Sequence, residues 1–426
     1  MADGFFDITE ELSESASSPA SPTQGGWFDW IFRFQSVPAP VPAETIPNIL
    51  IPSQEQSVQL SILVFEPLVT GSPLVTDQLG FQLDSYQQTM TAVGGYEKAT
   101  ITVKDRQLNI EDWLDRGVGR HIEVYNPSLV KIWEGFINKI SINLGGLSVT
   151  RGPLMEVGNK VAVAYSTMDT SVNPPAVGAR VTTTFAEDTT SQSRYGEFTT
   201  VLTTGGATQT TAETIRDTWL AENKEPKTSQ TLTVGGSGDI SMTLECAGYY
   251  NFLKKYTYDQ VSLSGTGDLD DILISVLASE PNGIISANTT NITENTLQTK
   301  QFVNENATAW KLIQGLVARG DTSDNRYIFQ ILNDRIATYA AVPTTVAYQQ
   351  RLNDPAQRVE TLSGIEVKPW DVKAGQWMFI PDFLIGKIQP TDLRLDPRMI
   401  FIESVLYTMP WGLTVQGGTI DKLSKN

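Results

Sequence analysis

The sequence has little of the chemistry that builds metal centres and catalytic sites. Its 426 residues include one cysteine, Cys246, and one histidine, His121. A disulfide framework is therefore excluded, and so is a Cys/His zinc site, which typically needs four such ligands. A nucleophilic serine or cysteine usually needs a nearby histidine base, and His121 lies within an apparent strand. We expect no enzyme activity, no metal site and no cofactor.

Motifs that bind phosphate or activate a nucleophile are also missing. No Gly-x-x-x-x-Gly-Lys loop and no Gly-x-Ser-x-Gly turn occurs. Asp268, Asp270 and Asp271 lack the glycine and the glutamate of a calcium loop, so helix capping explains Asp268 more simply. Asp321 and Asp324 favour a solvated turn.

Long apolar runs and net positive charge are absent as well. No stretch of about 18 apolar residues occurs, so we expect no membrane span. Residues 1–14 are acidic and do not resemble a secretory signal, which predicts synthesis in a cytoplasm. Lys and Arg number 31 against 48 Asp and Glu, and the net charge of -17 repels phosphate backbones and anionic lipid. We expect no specific nucleic-acid binding.

An amino-terminal arm precedes three larger parts of the chain. Residues 1–57 are rich in proline, serine and acidic side chains, a composition that predicts a disordered arm. Within the arm, an aromatic segment needs a partner surface in water. It consists of Trp27, Phe28, Trp30, Phe32 and Phe34. We expect this segment to dock on its own domain or on a neighbouring subunit.

Residues 58–165 alternate between apolar and polar side chains, as half-buried strands do. Strands are predicted at Ala99–Lys104, at His121–Tyr125 and from Val130 to Asn143, with a bulge or bend at Glu134-Gly135. Leu144-Gly145-Gly146-Leu147 predicts a hairpin turn, because two glycines permit positive φ angles. Together these patterns predict a first β-barrel over residues 58–165.

Residues 166–325 predict a mixed module with three helices. Thr210-x-x-Glu213 matches a capping box before a helix with Ile215 and Trp219 on one face. Asp268 precedes a second helix whose apolar stripe has core-facing spacing; the stripe is Leu269, Ile272, Leu273, Val276 and Leu277. A third helix runs from about residue 307 to residue 319 and stops at Gly320.

Residues 326–426 return to short strands and predict a second β-barrel. The strands are expected at Arg326–Gln330, Arg335–Tyr339, Gln376–Ile380, Met399–Tyr407 and Leu413–Val415. The predicted fold class is therefore α+β and β-rich, with two β-barrel domains flanking a mixed α/β middle module.

Three parts of this order resemble the baseplate hub and tail-tip proteins of tailed bacteriophages. They are Trp133-Glu134-Gly135-Phe136-Ile137, Thr308–Ile313 leading to Arg326–Phe329, and Phe401–Tyr407. The resemblance implies two tail-tube-like barrels and a homotrimeric ring that continues the tail tube. It also implies contacts with tail tube, distal tail and fibre proteins, a place in the virion tail, and DNA passage during genome ejection. No catalytic residue is carried over, and the amino-terminal arm departs from the family pattern.

Two alternative functions remain open from the sequence. One is a sixfold distal tail protein. The other is a carbohydrate-binding or carbohydrate-cleaving β protein at the host surface, with tryptophans such as Trp370, Trp377 and Trp411 stacking on sugars. Each of these tryptophans is individually better explained as a core residue, because buried aromatic side chains dominate packing.

Overall fold

A computed structural model describes most of the chain from Leu60 onward. The described ranges are 60–68, 75–79, 83–104, 110–169, 171–172, 175–234, 240–258, 266–300, 307–382, 396, 398–409 and 412–418. The predicted arm at residues 1–57 lies outside them.

The first part of the chain is built of antiparallel strands and one short helix. Its elements are β1 (Ser61–Phe65), β2 (Val75–Gln78), β3 (Leu83–Thr91), β4 (Val93–Val103), α1 (Ile110–Arg116), β5 (His121–Tyr125), β6 (Lys131–Leu144) and β7 (Leu147–Arg151). The predicted strands are confirmed, and in β4 the alternate residues Ala99, Ile101 and Val103 are buried. The predicted hairpin turn is also confirmed, since Gly145 and Gly146 have φ angles of 71° and 148° between β6 and β7.

A small module is inserted between two neighbouring strands of the main sheet. Its elements are β8 (Lys160–Asp169), β9 (Ala176–Thr182), β10 (Ala186–Glu187), α2 (Thr189–Tyr195), β11 (Thr199–Ala207) and α3 (Gln209–Asn223). The next strand, β12 (Thr228–Leu232), belongs to the main sheet. β7 pairs with β12, and the Gly152 N–H donates to the Lys227 carbonyl at 3.0 Å, so the chain leaves and returns at one point.

The inserted module has a four-stranded sheet and a core of its own. β8 pairs with β9 and β10 in antiparallel fashion and with β11 in parallel. Helix α3 packs on this sheet, and its Ala212 contacts a cluster formed by Val163, Tyr165 and Ala207. A module that buries its own apolar side chains can be inserted without disturbing the strands on either side.

The remaining elements alternate short strands with two helices. They are β13 (Ile240–Ala247), β14 (Thr266–Asp268), α4 (Leu269–Ala278), β15 (Gln298–Lys300), α5 (Ala309–Arg319), β16 (Tyr327–Ile331), β17 (Ala337–Ala341), β18 (Val346–Gln350), β19 (Val359–Thr361), β20 (Glu366–Val367), β21 (Trp377–Phe379), β22 (Met399–Thr408) and β23 (Gly412–Gly418). The predicted strands of this part are confirmed within a few residues.

The three predicted helices are present, with one correction to a cap. The stripe of α4 is buried at Leu269, Ile272, Leu273 and Val276, and α5 ends at Gly320. Helix α3 begins two residues earlier than the capping-box match indicated. Thr208, with an extended backbone, is the N-cap and accepts from the Thr211 N–H, so Thr210 lies inside the helix.

Strands from both ends of the chain share one sheet. β13 lies between β4 and β6, although the sequence placed it in the middle module. β3 pairs with β22, and β4 pairs in parallel with β16. The pairings among the described strands close no ring, so the two separate barrels are not found. The physical reason is that β13 and β22, from distant parts of the chain, occupy the edges along which a first barrel would have closed.

Of the bulge or bend predicted at Glu134-Gly135, the bulge is not found. β5 pairs regularly with β6 at these residues, and the register shifts only between Val124 and Tyr125. Gly135 has a different role, since a Cβ atom there would stand 2.3 Å from the Ala247 carbonyl oxygen. The glycine therefore allows β13 to approach β6 closely.

The main core runs through the whole sheet and is rich in aromatic side chains. Trp133 and Trp377 are among its largest fully buried residues. The rings of Tyr96 and Trp133 lie 6.1 Å apart, and those of Trp377 and Phe401 lie 5.4 Å apart. The described chain is thus a β-rich α+β protein, as the sequence predicted. No helix in the described part of the chain is long and apolar enough to cross a bilayer.

Candidate functional site

The main sheet contains a buried group of charged and polar side chains, which we call the His121 cluster. It consists of His121, Glu123, Lys131, Glu134 and Tyr249. Strand pairing brings it together, because β5 and β6 place Glu123 opposite Glu134. The Lys131 Nζ atom lies 2.6 Å from Glu123 Oε1 and 2.8 Å from Glu134 Oε2. One ammonium group therefore bridges two carboxylates inside the sheet.

The histidine is held by hydrogen bonds. His121 Nδ1 lies 2.6 Å from the Tyr249 hydroxyl and 3.1 Å from the Gly135 carbonyl oxygen. Its Nε2 atom lies 3.3 Å from Glu123 Oε1. With 2 % of its surface exposed, the imidazole is closed off from a substrate in solution. The side chain therefore has a structural role rather than that of a general base.

The charges of the His121 cluster set the protonation of its members. Burial raises the pKa of Glu123. The hydrogen bond from His121 and the charges of His121 and Lys131 outweigh burial and lower that pKa to about 2. Burial lowers the pKa of Lys131, but Glu134 and Glu123 outweigh it and hold that pKa above its usual range. Both groups are therefore ionised at neutral pH.

The His121 cluster has the donor atoms of a cation site, and a lysine already fills the position. One ligand atom each from His121, Glu123 and Glu134 lie within 4.8 Å of one another. The Lys131 ammonium stands between the two carboxylates and supplies the positive charge that a metal ion would bring. A cation would have to displace a half-buried lysine that is paired with three carboxylates, so we keep the expectation of no metal.

The His121 cluster also joins β6 to residues 333–335, which lie about 200 positions later in the sequence. The Arg335 N–H donates to Glu134 Oε1 at 2.7 Å, and Lys131 Nζ lies 2.9 Å from Asp334 Oδ1. The Asn333 side-chain amide donates to the Lys131 carbonyl at 3.1 Å. Sequence reasoning missed this role. The available signal was Glu134 itself, a charged residue within the apolar run of β6, because a buried charge needs a partner.

A second buried charge, Arg120, holds the edge of the same sheet. Its guanidinium is 3 % exposed and lies 2.8 Å from Asp112 and 3.3 Å from Asp77. It also stacks over the Trp113 ring, at 5.1 Å from the centroid. Burial raises the pKa of Asp77 to about 6, because desolvation outweighs the lowering effect of Arg120. This arrangement ties α1 and β2 to the start of β5.

Two strands, which we call the outer strands, are exposed along their whole length. They are β9 and β12, and every residue of both is exposed. Among the described residues, β9 pairs only with β8 and β12 only with β7. Val177 is 67 % exposed and Leu232 is 70 % exposed. An exposed edge strand presents unpaired backbone groups to another chain, so the outer strands are the candidate contact surface between subunits.

The remaining candidate residues fall into three groups. The aromatic segment Trp27, Phe28, Trp30, Phe32 and Phe34 lies outside the described residues, as does Trp411. Trp370 and Trp377 are buried core residues, 7 % and 1 % exposed. Asp321 Oδ1 accepts from the Ser323 and Asn325 N–H groups, which confirms the predicted turn.

Comparison with known proteins gives weak structural similarity and no match of sequence. No family model and no curated protein matches the chain. The crystal structure of the 43 kDa tail protein of prophage MuSo2 from Shewanella oneidensis aligns with 84 % of this chain and 95 % of its own. The TM-score is 0.38 and the sequence identity is 9 %. A similarity of this size establishes neither a shared fold nor a shared function.

Proposed function

We propose that this chain is a structural subunit of a bacteriophage tail, a hub or tail-tip protein that forms a homotrimeric ring. The observation that carries the proposal is the pair of outer strands. β9 and β12 are exposed along their whole length and, in the described part of the chain, leave one edge each without a strand partner. A subunit that works through contact with copies of itself needs such edges.

In the proposed ring, sheets of neighbouring copies meet along the outer strands and complete the tube-like barrels that one chain does not close. The ring continues the tail tube and contacts tail tube, distal tail and fibre proteins. Its place is the virion tail after synthesis in the bacterial cytoplasm. The role requires no catalytic residue and no cofactor.

The acidic charge suits a channel through which DNA passes during genome ejection. A net charge of -17 per chain repels the phosphate backbone, so the ring does not retain the genome.

The described residues give less support to the alternative functions. In the described ranges, four tryptophans are buried and two, Trp219 and Trp310, are half-buried, so none presents a fully exposed face for stacking on a sugar. A sixfold distal tail protein would use the same outer strands and differs in copy number.

Mass measurement of the purified full-length chain tests the proposal. Light scattering coupled to size-exclusion chromatography is expected to give three times the 46.8 kDa of one chain. Six copies would support the distal tail protein instead. A monomer over the whole accessible concentration range would contradict both ring proposals.

A further inference from the structure

An open apolar groove lies where α5, β16 and β22 meet the turn between β3 and β4. Its volume is about 520 Å³, which falls within the range of ligand pockets, about 300–1,000 Å³. The buried part of its lining is Ala92, Val317, Tyr327, Ile328 and Phe401. The groove is therefore large enough for aromatic side chains and has the apolar surface to hold them.

Two charged side chains of opposite sign line the groove. Arg326 and Glu403 are both exposed, and they are the charged residues of its lining. Within the described ranges, neither side chain makes an ion pair or a hydrogen bond. An occupant with one negative and one positive group among aromatic residues would match both the apolar surface and these charges.

We propose that the groove binds the aromatic segment Trp27–Phe34 of the chain's own amino-terminal arm. This segment contains five aromatic residues together with Asp29 and Arg33. Arg33 is the one basic residue in residues 1–57. In the docked state, Asp29 pairs with Arg326 and Arg33 pairs with Glu403, while the aromatic rings fill the groove.

The length of the chain permits this docking. Phe34 and Leu60, the first described residue, are joined by 26 residue steps, which can span at most about 90 Å. That exceeds the diameter of a folded domain of this size. A covalent tether holds the segment near its own surface at an effective concentration in the millimolar range. In an unassembled chain at micromolar protein concentration, each segment therefore binds the groove of its own chain.

Disulfide trapping in the full-length protein tests this proposal. Trp30→Cys is combined with Gln314→Cys, an exposed position in the groove lining. Cys246 stays in place, because it is buried and burial raises the pKa of its thiol. The matched control combines Trp30→Cys with Gln209→Cys, an exposed glutamine at the start of α3. After mild oxidation, peptide mapping and non-reducing gels give the yield of each disulfide and show whether it joins one chain or two.

The proposal predicts an intrachain disulfide at position 314 with at least about ten-fold greater yield than at position 209. Equal yields at the two positions would overturn it. Disulfide-linked dimers as the main product would overturn it as well, because the occupant would then be the arm of another copy.

Charge reversal gives a second, independent readout in the same cysteine background. Glu403→Arg is expected to lower the yield at position 314 several-fold, and adding Arg33→Glu is expected to restore it. A loss that the second substitution does not restore would contradict the pairing of Arg33 with Glu403. The docking does not rest on the ring: a failed disulfide leaves the mass measurement unaffected, and a monomeric mass leaves the trapping result unaffected.

Discussion

The half-buried charge of Lys131 contributes to the free energy of unfolding, because it pairs with carboxylates of β5, of β6 and of the segment at residues 333–335. Lys131→Met leaves Glu123 and Glu134 without their shared counter-charge, and Glu134 is 1 % exposed. Breaking a buried pair from one side costs about 3–5 kcal/mol. Urea unfolding is expected to show a loss of that size.

Lys139→Met is the matched control for this substitution. Lys139 lies on the same strand, and its pair with Glu245, at 2.7 Å, is far more exposed. Loss of an exposed pair costs about 0–1 kcal/mol. Similar losses for the two variants would contradict the structural role assigned to the His121 cluster.

Asp77 makes the free energy of unfolding fall as the pH rises, because its pKa is raised in the folded state. Burial raises its pKa from 3.8 to about 6 in the folded state. A raised pKa stabilises the folded state below about pH 4, and that contribution is lost as the pH rises through 6. Asp77→Asn removes this dependence, so its unfolding free energy should fall less than that of the unmodified protein between pH 4 and pH 7. Parallel pH profiles would show that the Asp77 carboxyl is not buried as described.

Among individual elements, those with a strong local pattern were predictable and their partners were not. The period-two alternation of β4, the Gly145-Gly146 turn and the apolar stripe of α4 are properties of short segments. The placement of β13 between β4 and β6 depends instead on contacts between residues far apart in sequence. A capping motif has the same weakness, since Thr208 and Thr210 both lie before suitable residues and only the backbone conformation distinguishes them.

Close approach of β13 to β6 gives a prediction at the level of these strands. Gly135→Ala would place a Cβ atom 2.3 Å from the Ala247 carbonyl oxygen. Overpacking of this kind typically costs about 1–3 kcal/mol, so the melting temperature should fall by several degrees. Gly205→Ala serves as control, because no atom lies within 4 Å of a Cβ atom there. An unchanged melting temperature for Gly135→Ala would refute the close approach.

The candidate contact surfaces were only partly visible in the sequence. The threonine-rich composition of Val181–Ile215 is suited to exposed strands or a long hairpin, but only residues 181–182 of that segment belong to the exposed strand β9. The His121 cluster was missed, because its members are spread from residue 121 to residue 249 and meet only after the sheet has formed. The aromatic segment of the arm was recognisable from composition alone, whereas its proposed groove is assembled from several distant elements.

For the whole molecule, the outer strands predict which substitutions prevent assembly. Val177→Lys in β9 and Leu232→Lys in β12 place charge on exposed apolar edges, which natural edge strands use to block pairing. Self-association of each variant is expected to be at least about ten-fold weaker. Thr218→Lys adds the same charge at an exposed position on α3 and should assemble normally. Unchanged assembly of both edge variants would show that the contact surface lies elsewhere on the molecule.

Electron microscopy of the purified full-length protein tests the central claim most directly. Image averages are expected to show a threefold-symmetric annulus with an open channel, in which copies meet at β9 and β12. Isolated single chains in every image class, with no annular particle, would contradict the account.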